Sequence, residues 1–108
     1  MPRYISNTLS FATVTVTTAV SYTAAINDRV LCTAGGITIT LPISTSLTVG
    51  DVVQIIDVAG TAGSSNITVA RNGALIQGLA DTLTIDTNNA SPVLIYTGVT
   101  YGWVIAGS

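Results

Sequence analysis

Apolar and polar residues alternate one by one over much of this chain, and nowhere more clearly than in residues 37–57, ITITLPISTSLTVGDVVQIID. Ile37, Ile39 and Leu41 alternate there with Thr38 and Thr40. A period of two puts one set of side chains on one face of a sheet, so the three aliphatic residues face a core and the threonines look outward. Pro42 has no N–H for a further ladder bond and ends this strand. Gly50 supplies a turn before Val52, Val53, Ile55 and Ile56. The first strand is one-sided, whereas the second is apolar on both faces. That pattern is expected of a strand held between the core and something else, either another sheet or a neighbouring subunit.

The rest of the chain repeats the same grammar. Residues 9–18 alternate Val14 and Val16 with Thr13, Thr15 and Thr17, which predicts a strand. Short strands follow at residues 21–25 and 29–33, with Asn27-Asp28 as the turn between them. Gly35 and Gly36 let the chain reverse into the strand at Ile37. After Asp57, residues 59–66 are small, polar and glycine-bearing and read as an exposed loop. Residues 67–70 alternate again, Asn72-Gly73 predicts a tight hairpin turn, and Leu75 and Ile76 begin the return. Residues 82–86 form a further strand, residues 87–92 a loop, and residues 93–97 and 101–106 a closing hairpin around Gly98 and Gly102. No helical period and no internal repeat firm enough for a solenoid is present. Eight or nine short strands separated by turn signals predict an all-β fold, an antiparallel two-sheet β-sandwich of the jelly-roll kind. The expected organisation is one domain over residues 9–108, preceded by a short extended arm at residues 1–8.

Composition sharpens this picture. The chain has 108 residues, 48% of them hydrophobic and only 7% charged, against about 25% charged in an ordinary soluble domain. It has no Lys, Glu or His; its cations are Arg3, Arg29 and Arg71, and its carboxylates are Asp28, Asp51, Asp57, Asp81 and Asp86. A surface so poor in charge does little to oppose self-association, which predicts a homo-oligomer or a component of a larger assembly. Three scattered arginines and a net charge of −2 supply no cationic stripe for nucleic acid. No stretch approaches the run of about eighteen apolar residues that a membrane helix needs.

The same inventory limits the chemistry. Without histidine or glutamate, the commonest general bases and metal ligands are missing, and a Ser-His-Asp triad is impossible within one chain. No catalytic, cofactor or metal site is therefore expected. Asp81 and Asp86 flank a strand five residues apart, which places them on opposite faces rather than across a substrate. Asp57 and Asp81 lack the D-x-D-x-D-G run of a calcium loop and read as turn residues that accept backbone N–H groups. Cys32, in phase with Val30, reads as a small core residue. One cluster has the make-up of a ligand surface. Tyr96, Tyr101 and Trp103 are candidate glycan contacts, with the loops at residues 59–66 and 87–92 beside them, although a small sandwich needs such residues in its core as well.

Taken in order, ITITLP, a loop ending in Gly50, VVQIID, a Gly/Ser/Asn loop, NITV, a Gly turn, Ile76-x-Gly78 and a closing Tyr/Gly/Trp103/Val104 resemble a β-sandwich module of tailed bacteriophages. The resemblance covers about residues 22–105. The module is found at the tips of tail fibres and tailspikes, particularly in phages of cyanobacteria, and similar sandwiches serve as trimeric cement proteins on capsids. What the resemblance implies is a homotrimer without enzymatic activity. With only about twenty residues ahead of the module and no shaft, the expectation is a capsid decoration protein on the outer surface of the virion, made in the host cytoplasm and bound to the major capsid protein. Arg3, Tyr4 and Ile5 are then the expected arm contacts to capsid or neighbouring subunits. The alternative is a receptor-binding tip that holds host surface glycan through Tyr96, Tyr101 and Trp103.

Overall fold

A computed structural model describes residues 14–107. The arm expected at residues 1–8, with Arg3, Tyr4 and Ile5, and the first half of the strand expected at residues 9–18 lie outside the described residues. Alternating β-branched segments form nine strands: β1 (Val14–Thr18), β2 (Tyr22–Thr23), β3 (Asp28–Cys32), β4 (Thr38–Thr40), β5 (Val52–Asp57), β6 (Ile67–Ala70), β7 (Leu83–Ile85), β8 (Val93–Tyr96) and β9 (Trp103–Gly107). Among the described residues the only helical element is a single 3₁₀ turn at Ser44–Ser46, and no helix is long and apolar enough to cross a membrane.

Two sheets result, in the orders β1-β3-β5-β8-β9 and β2-β4-β6-β7. Both are mixed, which corrects the antiparallel, jelly-roll-like pairing expected from the sequence. β1, β3 and β5 run parallel, as do β2, β4 and β6, and only β7, β8 and β9 join antiparallel. The physical reason lies in the connections. Each early loop hands the chain to the opposite sheet instead of folding it back beside the strand it has just left. The strand after next therefore returns in the same direction, and residues 14–70 wind as a flattened coil.

The turns of this coil are unequal, which is why no repeat is visible in the sequence. Val16 pairs with Val30 and Val30 with Ile55, whereas Tyr22 pairs with Ile39 and Ile39 with Val69. Asn72 and Gly73 both have positive φ, as the turn signal demanded. The expected immediate return through Leu75 and Ile76 does not form, however. Ile76 bridges to Trp103 in the other sheet, and β6 finds its antiparallel partner only at β7.

The sheets share one core. Val30, Cys32, Val53, Ile55, Leu94, Tyr96 and Trp103 from the larger sheet meet Ile39, Ile67, Val69 and Ile85 from the smaller. The alternation read from residues 37–41 holds, since Ile37, Ile39 and Leu41 are buried and Thr38 and Thr40 are not. Each fully buried aliphatic side chain contributes about 1.5–3 kcal/mol relative to an exposed one, so this cluster is the main source of stability. Cys32 is fully buried, and burial first and Asp57 second push its thiol up to about 11. It is a core residue, without the depressed pKa of a reactive thiol.

Candidate functional site

The three aromatic residues singled out in the sequence do not form one surface. Trp103 is fully buried, and it packs edge-on against Tyr96 with ring centroids 5.7 Å apart and planes 63° apart. Tyr96 is buried too, while Tyr101 stands in the β8–β9 turn with 63% of its surface exposed. The register explains the split, because Tyr96 and Trp103 are cross-strand partners on the inner face. Tyr101 has left the strand before the alternation begins. Of the three, Tyr101 alone is exposed.

The two loops named with the aromatics meet each other, but at the opposite end of the larger sheet. Tyr96 donates its N–H to the Asp51 carbonyl at the start of β5. Asp57, at the far end of β5, gathers residues 58–66 and 87–90. Its carboxylate accepts N–H groups from Gly60 at 3.2 Å and from Ala62 and Asn89 at 3.0 Å each. The Asn89 side-chain amide donates to the Asp57 carbonyl at 3.3 Å, and Asn88 Oδ1 accepts the Gly63 N–H at 2.7 Å. Burial alone would raise the Asp57 pKa. The backbone donors of Ala62, Asn89, Gly60 and Thr61 outweigh it and hold the carboxyl below its ordinary value. A carboxylate facing this many N–H donors presents its lone pairs to the protein's own backbone, not to a cation.

Asp28 is used in the same way. It is buried, and one oxygen accepts the Tyr22 hydroxyl at 2.7 Å and the Ala25 N–H at 2.8 Å. That bond first, with burial and the nearby negative charge, raises the Tyr22 pKa. Asp51 accepts the Thr48 N–H at 2.7 Å. Three of the five carboxylates thus fasten turns; of Asp57 and Asp81, the two read from the sequence as acceptors of turn N–H groups, Asp57 is among them. Among the described residues no three Asp or Cys side chains gather where they could hold a metal ion.

Cavities open among the described residues, and two of them could take a small group. One, of about 190 Å³, lies between the edge strands β7 and β9 and is lined by Leu83, Ile85, Ala90, Pro92 and Ile105. The other, of about 320 Å³, is lined by Ser44, Thr45, Leu75, Tyr96 and Val99. Neither contains a histidine, cysteine or paired carboxylate; the first is also lined by Asp86, which accepts the Thr87 hydroxyl at 3.5 Å.

Sequence reasoning did not find the role of Asn88 and Asn89 as partners of the residues 58–66 loop. The available signal was an aspartate at the end of an apolar strand followed by a run of small residues, a place where backbone N–H groups need an acceptor. No protein-family model matches the sequence, and comparison with curated proteins finds no match.

Proposed function

We propose that this chain is a non-enzymatic structural protein that assembles as a homotrimer and decorates the outer capsid surface of a tailed bacteriophage. The observation that carries this reading is a chain sparse in charge, in which three of the five carboxylates are taken up by its own turns. Asp28, Asp51 and Asp57 hold backbone N–H groups, and the remaining charged residues are few. Such a module has no equipment for turnover, and its exterior is suited to permanent contact with other protein surfaces. The likeness of its motif order to phage β-sandwich modules supports the location, and the locked loops suit a part that bears load.

The mechanism is avidity. Three weak contacts held on one rigid trimer act together, so capsid binding exceeds what any single contact provides. Arg3, Tyr4 and Ile5 are the residues assigned to these contacts. Removing residues 1–8 is expected to lower binding to purified capsids of the parent phage at least a hundredfold while the trimer stays folded. Undiminished binding of the shortened protein in a capsid co-sedimentation assay would remove the arm from the mechanism. In the tip-module reading, Tyr101 is the one exposed aromatic left to hold glycan, and Tyr96 and Trp103 serve the core.

A further inference from the structure

Tyr96 ends in a hydroxyl that the fold does not use. The residue is only 6% exposed, and its ring packs edge-on against Trp103. Among the described residues its Oη has no hydrogen-bond partner, yet the one fully enclosed side-chain polar atom left without a partner is Nε1 of Trp103. The Tyr96 hydroxyl is therefore not sealed in the core. Tyr96 lines the cavity of about 320 Å³, and its hydroxyl meets open space there. A buried tyrosine ordinarily finds a partner for its O–H. This one is left for a group from outside the chain.

The rest of the cavity has matching chemistry. Ser44 and Thr45 bring two more hydroxyls, neither of them bonded to another described residue. A Cβ at Gly73 would lie 2.6 Å from Ser44 Oγ, so glycine at this wall leaves that hydroxyl uncovered. Ala74, Leu75 and Val99 supply apolar wall. Much of the surrounding backbone is committed: the Ser44 N–H to the Asn72 carbonyl, the Leu75 carbonyl to the Trp103 N–H, and the Gly98 carbonyl to the Gly102 N–H. None of the lining residues is charged. Arg71 and Asp51, on the flanking segments, are bonded to the Ala74 carbonyl and the Thr48 N–H.

These features select a ligand. An ion would lose its hydration here and find no counter-charge. A purely apolar molecule would leave the Tyr96 hydroxyl unpaired. Hydroxyls both donate and accept, so three of them match a molecule whose own hydroxyls do the same. At about 320 Å³ the cavity stands at the small end of ligand sites, which run from about 300 to 1,000 Å³. We propose that it binds a single neutral sugar ring, with Tyr96, Ser44 and Thr45 bonding the sugar hydroxyls and Leu75 and Val99 lying against its C–H groups. The site does not include Tyr101, and it stands apart from the capsid-decoration reading.

Trp103 is the single tryptophan and touches Tyr96, so its fluorescence reports occupancy. The full chain is titrated with glucose, galactose, mannose and N-acetylglucosamine, each also as its methyl glycoside, and with glucuronate as the charged control. Saturation by at least one neutral sugar is expected on the order of 1 mM, with glucuronate at least tenfold weaker. Binding of sugar and glycoside alike marks the end of a glycan chain as the ligand, and binding of the free sugar alone marks a solute. Tyr96→Phe keeps the ring and is expected to bind about tenfold more weakly with an unchanged urea midpoint, since the hydroxyl has no partner in the protein. A combined Ser44→Ala, Thr45→Ala variant is expected to weaken binding to a similar degree. The proposal is overturned if no neutral sugar saturates the signal up to about 100 mM, or if glucuronate binds as tightly. Equal affinity in Tyr96→Phe, or loss of binding in Tyr101→Ala instead, would overturn the cavity as the site. A lowered urea midpoint in Tyr96→Phe would overturn it too, by showing that the hydroxyl serves the fold.

Discussion

Gly102→Ala is expected to leave little folded protein, with a loss of more than about 4 kcal/mol against a total stability of about 5–15 kcal/mol for a domain of this size. Two effects combine at this residue. Its φ of 72° lies in the left-handed region, which costs a residue with a Cβ about 1–2 kcal/mol. More important, a Cβ here would collide with the backbone carbonyl of Leu75. That carbonyl cannot retreat, because it accepts the Trp103 N–H at 2.8 Å. Gly102 is fixed as well. Its N–H bonds to the Gly98 carbonyl, and its own carbonyl accepts both the N–H and the hydroxyl of Thr97. Any relief of the clash therefore shifts Trp103, the largest buried side chain. Gly50→Ala separates the two effects, since Gly50 also has positive φ but open space around it. It is expected to cost only about 1–2 kcal/mol. Urea denaturation of both variants checks the order, and a Gly102→Ala midpoint close to that of Gly50→Ala would show that the turn can yield.

Asp57→Ala is expected to be the next most damaging change, at about 4 kcal/mol, because it strips the acceptor from three backbone N–H groups at once. Asp57→Asn keeps one carbonyl oxygen and is expected to cost about half as much. The pH dependence has a definite sign. The folded carboxyl titrates below its ordinary 3.8, so the folded state binds the proton less readily than the unfolded chain does. The stabilisation is fully present above the ordinary value and disappears as pH falls through the lower, folded-state value. Urea midpoints of the wild type should hold level from neutral pH to about 5 and drop below about 4, and the drop should be shallower in Asp57→Asn. An equally steep acid drop in the variant would assign the acid sensitivity to other carboxylates.

Much of the fold is legible in the sequence at the level of single strands. Ile37, Ile39 and Leu41 announce their face by alternation, and the pairing of Tyr96 with Trp103 follows from a hairpin whose turn glycines stand out. Direction is another matter. Period two is the same for parallel and antiparallel strands, and Gly35-Gly36 serves equally well to reverse a chain or to pass it to the facing sheet. The coil hides further because its turns differ in length, as the spacings from Val16 to Val30 and from Val30 to Ile55 illustrate. The loop lock at Asp57 is hidden for a different reason. Its partners at Gly60, Ala62 and Asn89 contribute backbone N–H groups, which every residue but proline has, so no side-chain pattern marks them. The double apolarity of residues 52–56 is a legible signal with a tertiary meaning: Val53 and Ile55 fill the core, while Val52 and Ile56 alternate with them, Val52 buried and Ile56 partly so.

The most direct test of the capsid-decoration reading is the copy number of this chain in purified virions of the parent phage, measured by quantitative mass spectrometry against the major capsid protein. A ratio close to one chain per capsid subunit is the predicted result. A ratio of a few per hundred would place the chain at the tail and favour receptor binding, and its absence from the particle would contradict the account altogether.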